Sequence, residues 1–287
     1  MSRILRRLPG LLHRTLVASI DDGLFTIAKG AAYSSLLSLF PVVTSVATIF
    51  VQTRADYLQR NMTAFLDEIL PPGTQSAIML QVKYRGQRPL ALLVVAFALS
   101  LWAASSVIKS LIDGFNAAYR VPRNRSVMGH IWIGVLLVFF AVIPLLGATA
   151  LILFGGAIEP SVLRYLKVDP LLNPLAGRWE LFSRVMRYLV AFAANVSLTG
   201  MLYYYGPYRR QKWGAVWPGA ILATILWLLA TLGFAWYVRN ITNYNLLYGS
   251  VGTSIALLSW MYLLAAITLF GCEFNAEIER MNYRKIL

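Results

Sequence analysis

Residues 250–275 read SVGTSIALLSWMYLLAAITLFGCEFN, an apolar run whose one charged side chain, Glu273, stands close to its end. Apolar residues fall on every side of the run, so it has no polar face to offer water. At about 1.5 Å per residue it is long enough to cross a hydrocarbon core of about 30 Å. A helix that is apolar all round and that long has lipid as its natural solvent.

Working outward, five further runs of the same kind stand at 30–51, 89–112, 131–155, 184–204 and 214–237. The composition agrees: 58% of the 287 residues are hydrophobic and 13% are charged, against roughly 45–50% and about 25% in a soluble domain. The expected fold is all-α, a polytopic membrane helical bundle with about six transmembrane helices between a basic segment, 1–29, and a tail, 276–287. The net charge of +14 is spread over many short connections instead of one arm, which speaks for topology signals and anionic headgroups and against nucleic acid. The short connections set the orientation. Residues 207–213, PYRRQKW, hold three basic side chains, whereas 239–250, RNITNYNLLYGS, hold one. Both termini are therefore expected in the cytoplasm. The first run reads as an uncleaved span, because five others succeed it.

Two segments look interfacial. In the first, Ile4, Leu5, Leu8, Leu11, Leu12 and Leu16 share one side of a helical wheel and Arg3, Arg6, Arg7 and Arg14 the other, with Pro9 marking a kink or a start. In the second, after the first span, Leu58, Met62, Phe65, Leu66 and Ile69 recur at helical spacing before PPG breaks the pattern.

Polar groups in or beside the spans are the candidate functional residues, since each is costly in lipid unless partnered or hydrated. Lys29, Lys109, Asp113, Glu273 and Glu277 form a charged layer near one boundary. Lys109 with Asp113, and Glu273 with Glu277, are spaced i,i+4 and share helix faces. Lys29 or Lys109 is expected to pair with Glu273; snorkelling to headgroups is the alternative for Lys29 and Glu277. Asn195, Ser105 and Ser106 read as interhelical packing and hydrogen bonding. Pro41 and Pro144 interrupt the first and third spans, either as plain kinks or as breaks beside a binding site. Cys272 is the single cysteine, so no intrachain disulfide can form.

With LWAASSVIKSLIDGFNAAYRV closing the second span, YYYGPYRRQKWGAVWPGA leading the fifth, YGSVGTSIALLSWMYLLAAITLFGCEFNAE forming the last, and KGAAYSSLLSLFPVVT in the first, the chain resembles the YihY/BrkB family of bacterial inner-membrane proteins. The resemblance covers most of the chain from Lys29 to Glu277. Matching positions include Tyr33, Pro41, Trp102, Asn116, Tyr119, Pro207, Trp213, Gly219, Tyr248, Gly249, Gly252, Trp260, Tyr262, Gly271, Glu273 and Asn275; Val251, Cys272 and Phe274 depart from the usual pattern. It implies six helices and assigns no settled chemistry, members having carried ribonuclease, virulence and transporter-like labels.

The side-chain inventory weighs against the first label. His13 and His130 lack ligand spacing, and no phosphate-cradling loop, GxSxG or HExxH is present. No cofactor and no metal site is expected. A transporter or flippase-like protein for an unidentified, amphipathic or lipid-like substrate accounts for more, with Glu273, Asn275, Lys109, Asp113, Asn116, Tyr33 and Lys29 as its candidate polar residues. A membrane scaffold or assembly factor is the alternative. Membrane lipids and the transported substrate are the expected partners, and a homo-oligomer stays open.

Overall fold

The computed structural model describes residues 8–52, 90–122, 176–241 and 244–283. Among these residues all regular structure is helical: α1 Leu8–Asp21, α2 Leu24–Gln52, α3 Leu90–Ala118, α4 Ala176–Tyr205, α5 Trp213–Ile241 and α6 Tyr244–Tyr283. The span expected at 131–155 with Pro144, the amphipathic segment after the first span, and Arg3 to Arg7 lie outside the described residues.

Each observed helix outlasts the matching apolar run at one end or both. Backbone hydrogen bonding does not stop where hydropathy does. α6 shows this best: its 40 residues would extend about 60 Å at 1.5 Å per residue, and it ends in the polar stretch EFNAEIERMNY. Among the described residues, three helices are long and apolar enough to cross a membrane, over Val185–Tyr205, Trp213–Tyr237 and Ser254–Asn282.

The chain divides into two compact units, Met1–Val138 with Thr199–Leu287, and Phe139–Leu198. In the first, α6 packs on α5, α2, α1 and α3, and α2 packs along α3. α2 buries Leu24, Ala28, Ala31 and Ala32, a stripe of mostly small side chains that lets helices approach closely. Ile112 and Phe115 of α3, Tyr203 of α4, Val216 and Ala220 of α5 and Leu269 of α6 complete the interior. The outward faces are apolar too, with Trp102 73%, Leu232 68% and Trp236 61% exposed. Patches of that size are lipid-facing in a membrane protein. In the second unit the described residues are the first turns of α4, where Leu181, Phe182, Val185 and Leu189 are exposed.

α1 differs in part from the sequence expectation. It begins at Leu8, so Pro9 sits in its first turn, where a missing N–H costs nothing. It buries Leu11, Thr15, Ala18 and Ser19 and packs against α6, while Leu16 is 45% exposed. The helix therefore has one face on the protein and a neighbouring apolar strip turned outward.

Candidate functional site

Two sharp helix ends set up the polar centre of the first unit. α1 closes on Gly23 at φ 67, where Gly23 N–H donates to Ile20 O at 3.1 Å and Asp22 is left at the turn. α3 closes with Val121 N–H on Asn116 O and Arg120 N–H on Ala117 O, both at 2.9 Å. That is a Schellman motif, which calls for a left-handed residue usually supplied by glycine. Here the residue is Arg120, at φ 54. Its side chain reaches Asp22, with Nε 3.2 Å from Oδ1, so the two helix ends are tied together.

Arg280, near the end of α6, is the hub. Its Nη1 donates to Glu273 Oε1 at 2.7 Å and also to Glu277, its Nη2 donates to the carbonyl of Ala118, and Asp22 Oδ2 lies 3.7 Å from Nη2. The Ala118 carbonyl belongs to the last turn of α3, whose acceptors have no partner within the helix and sit at the negative end of its dipole. One planar guanidinium thus serves three carboxylates and a helix C-terminus, a geometry that suits its fork of donors. Glu273 is fully buried, and among the described residues its Oε2 has no hydrogen-bond partner.

Two residues further along, Asn275 faces α5 instead. Pro218 inside α5 cannot donate, and its ring disturbs the preceding turn. Asn275 fits this interruption: Oδ1 accepts from Gly219 N–H at 2.7 Å and Nδ2 donates to Val216 O at 2.9 Å. The helices nearly touch there. A Cβ on Gly219 would strike Gly271 O and Asn275, and one on Gly271 would meet Tyr203 Oη, Ala223 Cβ and Gly219 O. Tyr203, fully buried, donates to Thr268 O at 2.6 Å and locks α4 onto α6.

Asn116 faces a third way, toward the turn between α4 and α5. Its Oδ1 accepts from Tyr208 N–H at 2.8 Å, and Tyr119 Oη donates to Gln211 Oε1 at 3.1 Å. Arg209 stacks over the Tyr119 ring, 4.6 Å from its centroid, and pairs with Glu279. Burial pushes the Tyr119 phenol well above its usual pKa.

The structure thus places the sequence candidates in separate settings. Glu273 is in the ionic network, Asn275 in the α5–α6 crossing and Asn116 under the turn. Lys109 and Asp113 are half-buried on α3. Lys29 is exposed and Tyr33 is 60% exposed, so both point away from the interior. Pro41 lies within α2. The partner of Glu273 is Arg280, not Lys29 or Lys109. Arg280, two turns along the same helix, ties α6 to the α1–α2 turn through Asp22 and to the end of α3 through Ala118. Sequence reasoning missed Arg280, Asp22, Arg120 and Pro218. The pattern EFNAEIER carried a signal, since residues seven and three before Arg280 share its helix face, and WPG within a span marks an interruption. Among the described residues, no three His, Cys, Asp or Glu side chains come together in a metal-holding group.

The family described as Virulence factor BrkB matches residues 16–286. The chain belongs to the virulence factor BrkB family. This BrkB-family chain is 31% identical over 255 residues to the putative ribonuclease-like protein YfkH of Bacillus subtilis, covering 87% of this chain and 88% of that one. It is 26% identical to the UPF0761 membrane protein PSHAa0171 of Pseudoalteromonas translucida, covering 97% and 89%. It is 28% identical to the UPF0761 membrane protein Bxeno_A3061 of Paraburkholderia xenovorans, covering 91% of this chain and 58% of that longer protein. No solved structure matches. Family and hydropathy together make this BrkB-family chain a helical membrane protein.

Proposed function

We propose that this protein moves or flips an amphipathic, lipid-like substrate across a bacterial inner membrane in which both its termini face the cytoplasm. The observation that carries the reading is Glu273: a fully buried carboxylate in the last helix, held by Arg280 on one oxygen and, among the described residues, unpartnered on the other. An ionisable group in such a position is costly and is kept where a pathway or a switch needs it. Arg280 also holds the α1–α2 turn through Asp22 and the end of α3 through Ala118. A change in the charge of Glu273, by a proton or by a cationic headgroup, loosens contacts among three elements at once. Prolines inside the continuous helices α2 and α5 each remove one backbone donor, a local weak point at which a helix can bend.

The test is lipid translocation in vesicles reconstituted with the full chain. Dithionite bleaching of a fluorescent phospholipid is expected to run faster than in protein-free vesicles, and Glu273→Gln is expected to slow it while the protein stays folded. Wild-type vesicles that behave like protein-free ones would sink the reading. The scaffold alternative then gains, since the apolar outer faces of α3 and α5 could seat a partner's helices. The name of the Bacillus subtilis relative invites a nuclease assay as well; no residue set described above is arranged for that chemistry.

A further inference from the structure

We propose that the turn between α4 and α5 binds the phosphate of an anionic phospholipid headgroup. Two buried amide donors, Asn116 Nδ2 and Gln211 Nε2, have no acceptor among the described residues. Asn116 is 5% exposed. Its orientation is fixed, because Oδ1 must accept from Tyr208 N–H, which leaves the NH2 group as the orphan. Gln211 is engaged through Oε1 by the Tyr119 hydroxyl, again leaving NH2. Buried donors without acceptors are rare, and each calls for a ligand or an ordered water.

The surroundings select the ligand's charge. Arg210 and Lys212 are exposed on the same turn, and α5 begins at Trp213 with the positive end of its dipole. Around Gly214 a Cβ would meet nothing within 4 Å, so the approach to that helix end is open. Asn116 is bonded to the turn through Tyr208 N–H and Gln211 belongs to it, and an oxyanion reaches their buried NH2 groups by opening the turn. Cations outside, amide donors inside and a helix N-terminus alongside suit a phosphate.

The aromatic residues select a lipid over a free ion. Tyr204 packs edge-on against Tyr205 and Trp213, each at 4.8 Å, and Trp213 against Trp217 at 5.6 Å. Tyr205 is 50% and Trp213 43% exposed. These rings close two membrane-spanning helices, where Trp and Tyr meet headgroups, and Trp213 follows Lys212 directly in sequence. The site stands whether or not the protein transports anything.

The test counts lipids retained by the purified full chain, by native mass spectrometry, on titration with phosphatidylglycerol or phosphatidylcholine. Wild type is expected to favour phosphatidylglycerol. Arg210→Gln with Lys212→Gln, and separately Gln211→Leu, are expected to weaken that binding roughly tenfold each, the scale of a lost charge-assisted hydrogen bond. The control removes as much charge elsewhere, in the tail at Arg284 and Lys285 (Arg284→Gln with Lys285→Gln), and is expected to bind like wild type. Equal loss in the control would show diffuse attraction and overturn the site. Unchanged binding in the turn variants would leave the amides to ordered water and also overturn it. Displacement of phosphatidylglycerol by millimolar inorganic phosphate would overturn the lipid assignment in favour of a free ion.

Discussion

Arg280 is the residue on which the polar centre depends, because it neutralises Glu273 where no water reaches. Replacing it by alanine leaves a buried, unpaired carboxylate, and the expected cost is about 3–5 kcal/mol, read as a fall in melting temperature in detergent. Lysine at the same position keeps the charge and loses the fork. Arg280→Lys should therefore fall between wild type and alanine. Arg120 offers a cleaner separation of backbone from side chain. At φ 54 a residue with a Cβ carries roughly 1–2 kcal/mol of strain that glycine does not, whereas its ion pair with Asp22 is half in water, Arg120 being 61% exposed, and contributes little. Arg120→Gly is expected to be more stable than Arg120→Ala by about 1 kcal/mol; equal stabilities would refute the strain. From sequence, Glu273 was recognisable as the sharpest candidate because a carboxylate inside an apolar run stands out. Its partner was not. Side chains on neighbouring helices meet according to helix rotation and tilt, which hydropathy does not encode.

Among the elements, the α5–α6 crossing is the most demanding. Gly271→Ala would press a methyl group against Tyr203 Oη, Ala223 Cβ and Gly219 O, two of them on a helix that cannot yield without the crossing opening. The expected loss is about 1–3 kcal/mol. Gly30→Ala on α2 meets nothing within 4 Å and sits in a helix interior, so it should be neutral or stabilising by about 0.5–1 kcal/mol. The pair distinguishes glycines used for approach from a glycine that is not, by thermal unfolding of two otherwise similar variants. Asn275→Ala should cost about 1–3 kcal/mol by stranding Gly219 N–H and Val216 O beside Pro218. The existence of these helices was legible in residues 89–112, 184–204, 214–237 and 250–275, since apolar runs of that length have few other solutions. The use of Asn275 as a splint for α5 was not, because its partners are backbone atoms 56 and 59 positions away.

For the whole molecule, stability in alkali follows from Tyr119. Its phenol is buried and its folded pKa is raised above the ordinary 10.0, so folding favours the protonated form. The stability this group contributes is complete below about 10 and is lost as the pH rises further, because the unfolded chain ionises first. Tyr119→Phe should flatten the fall in melting temperature above about pH 10, and an unaltered fall would contradict the burial. Hydropathy by itself determined that the chain is an all-helical membrane protein, and motif order determined its family, because the cost of exposing polar backbone in lipid leaves a run of apolar residues one regular structure to adopt. Only the tertiary structure decided that Arg280 instead of Lys29 or Lys109 answers Glu273, that Tyr33 turns outward, and that Asn116 and Tyr119 of α3 hold Tyr208 and Gln211 of the turn before α5. Those choices depend on which helix faces touch, and a face is fixed by packing among all the helices together.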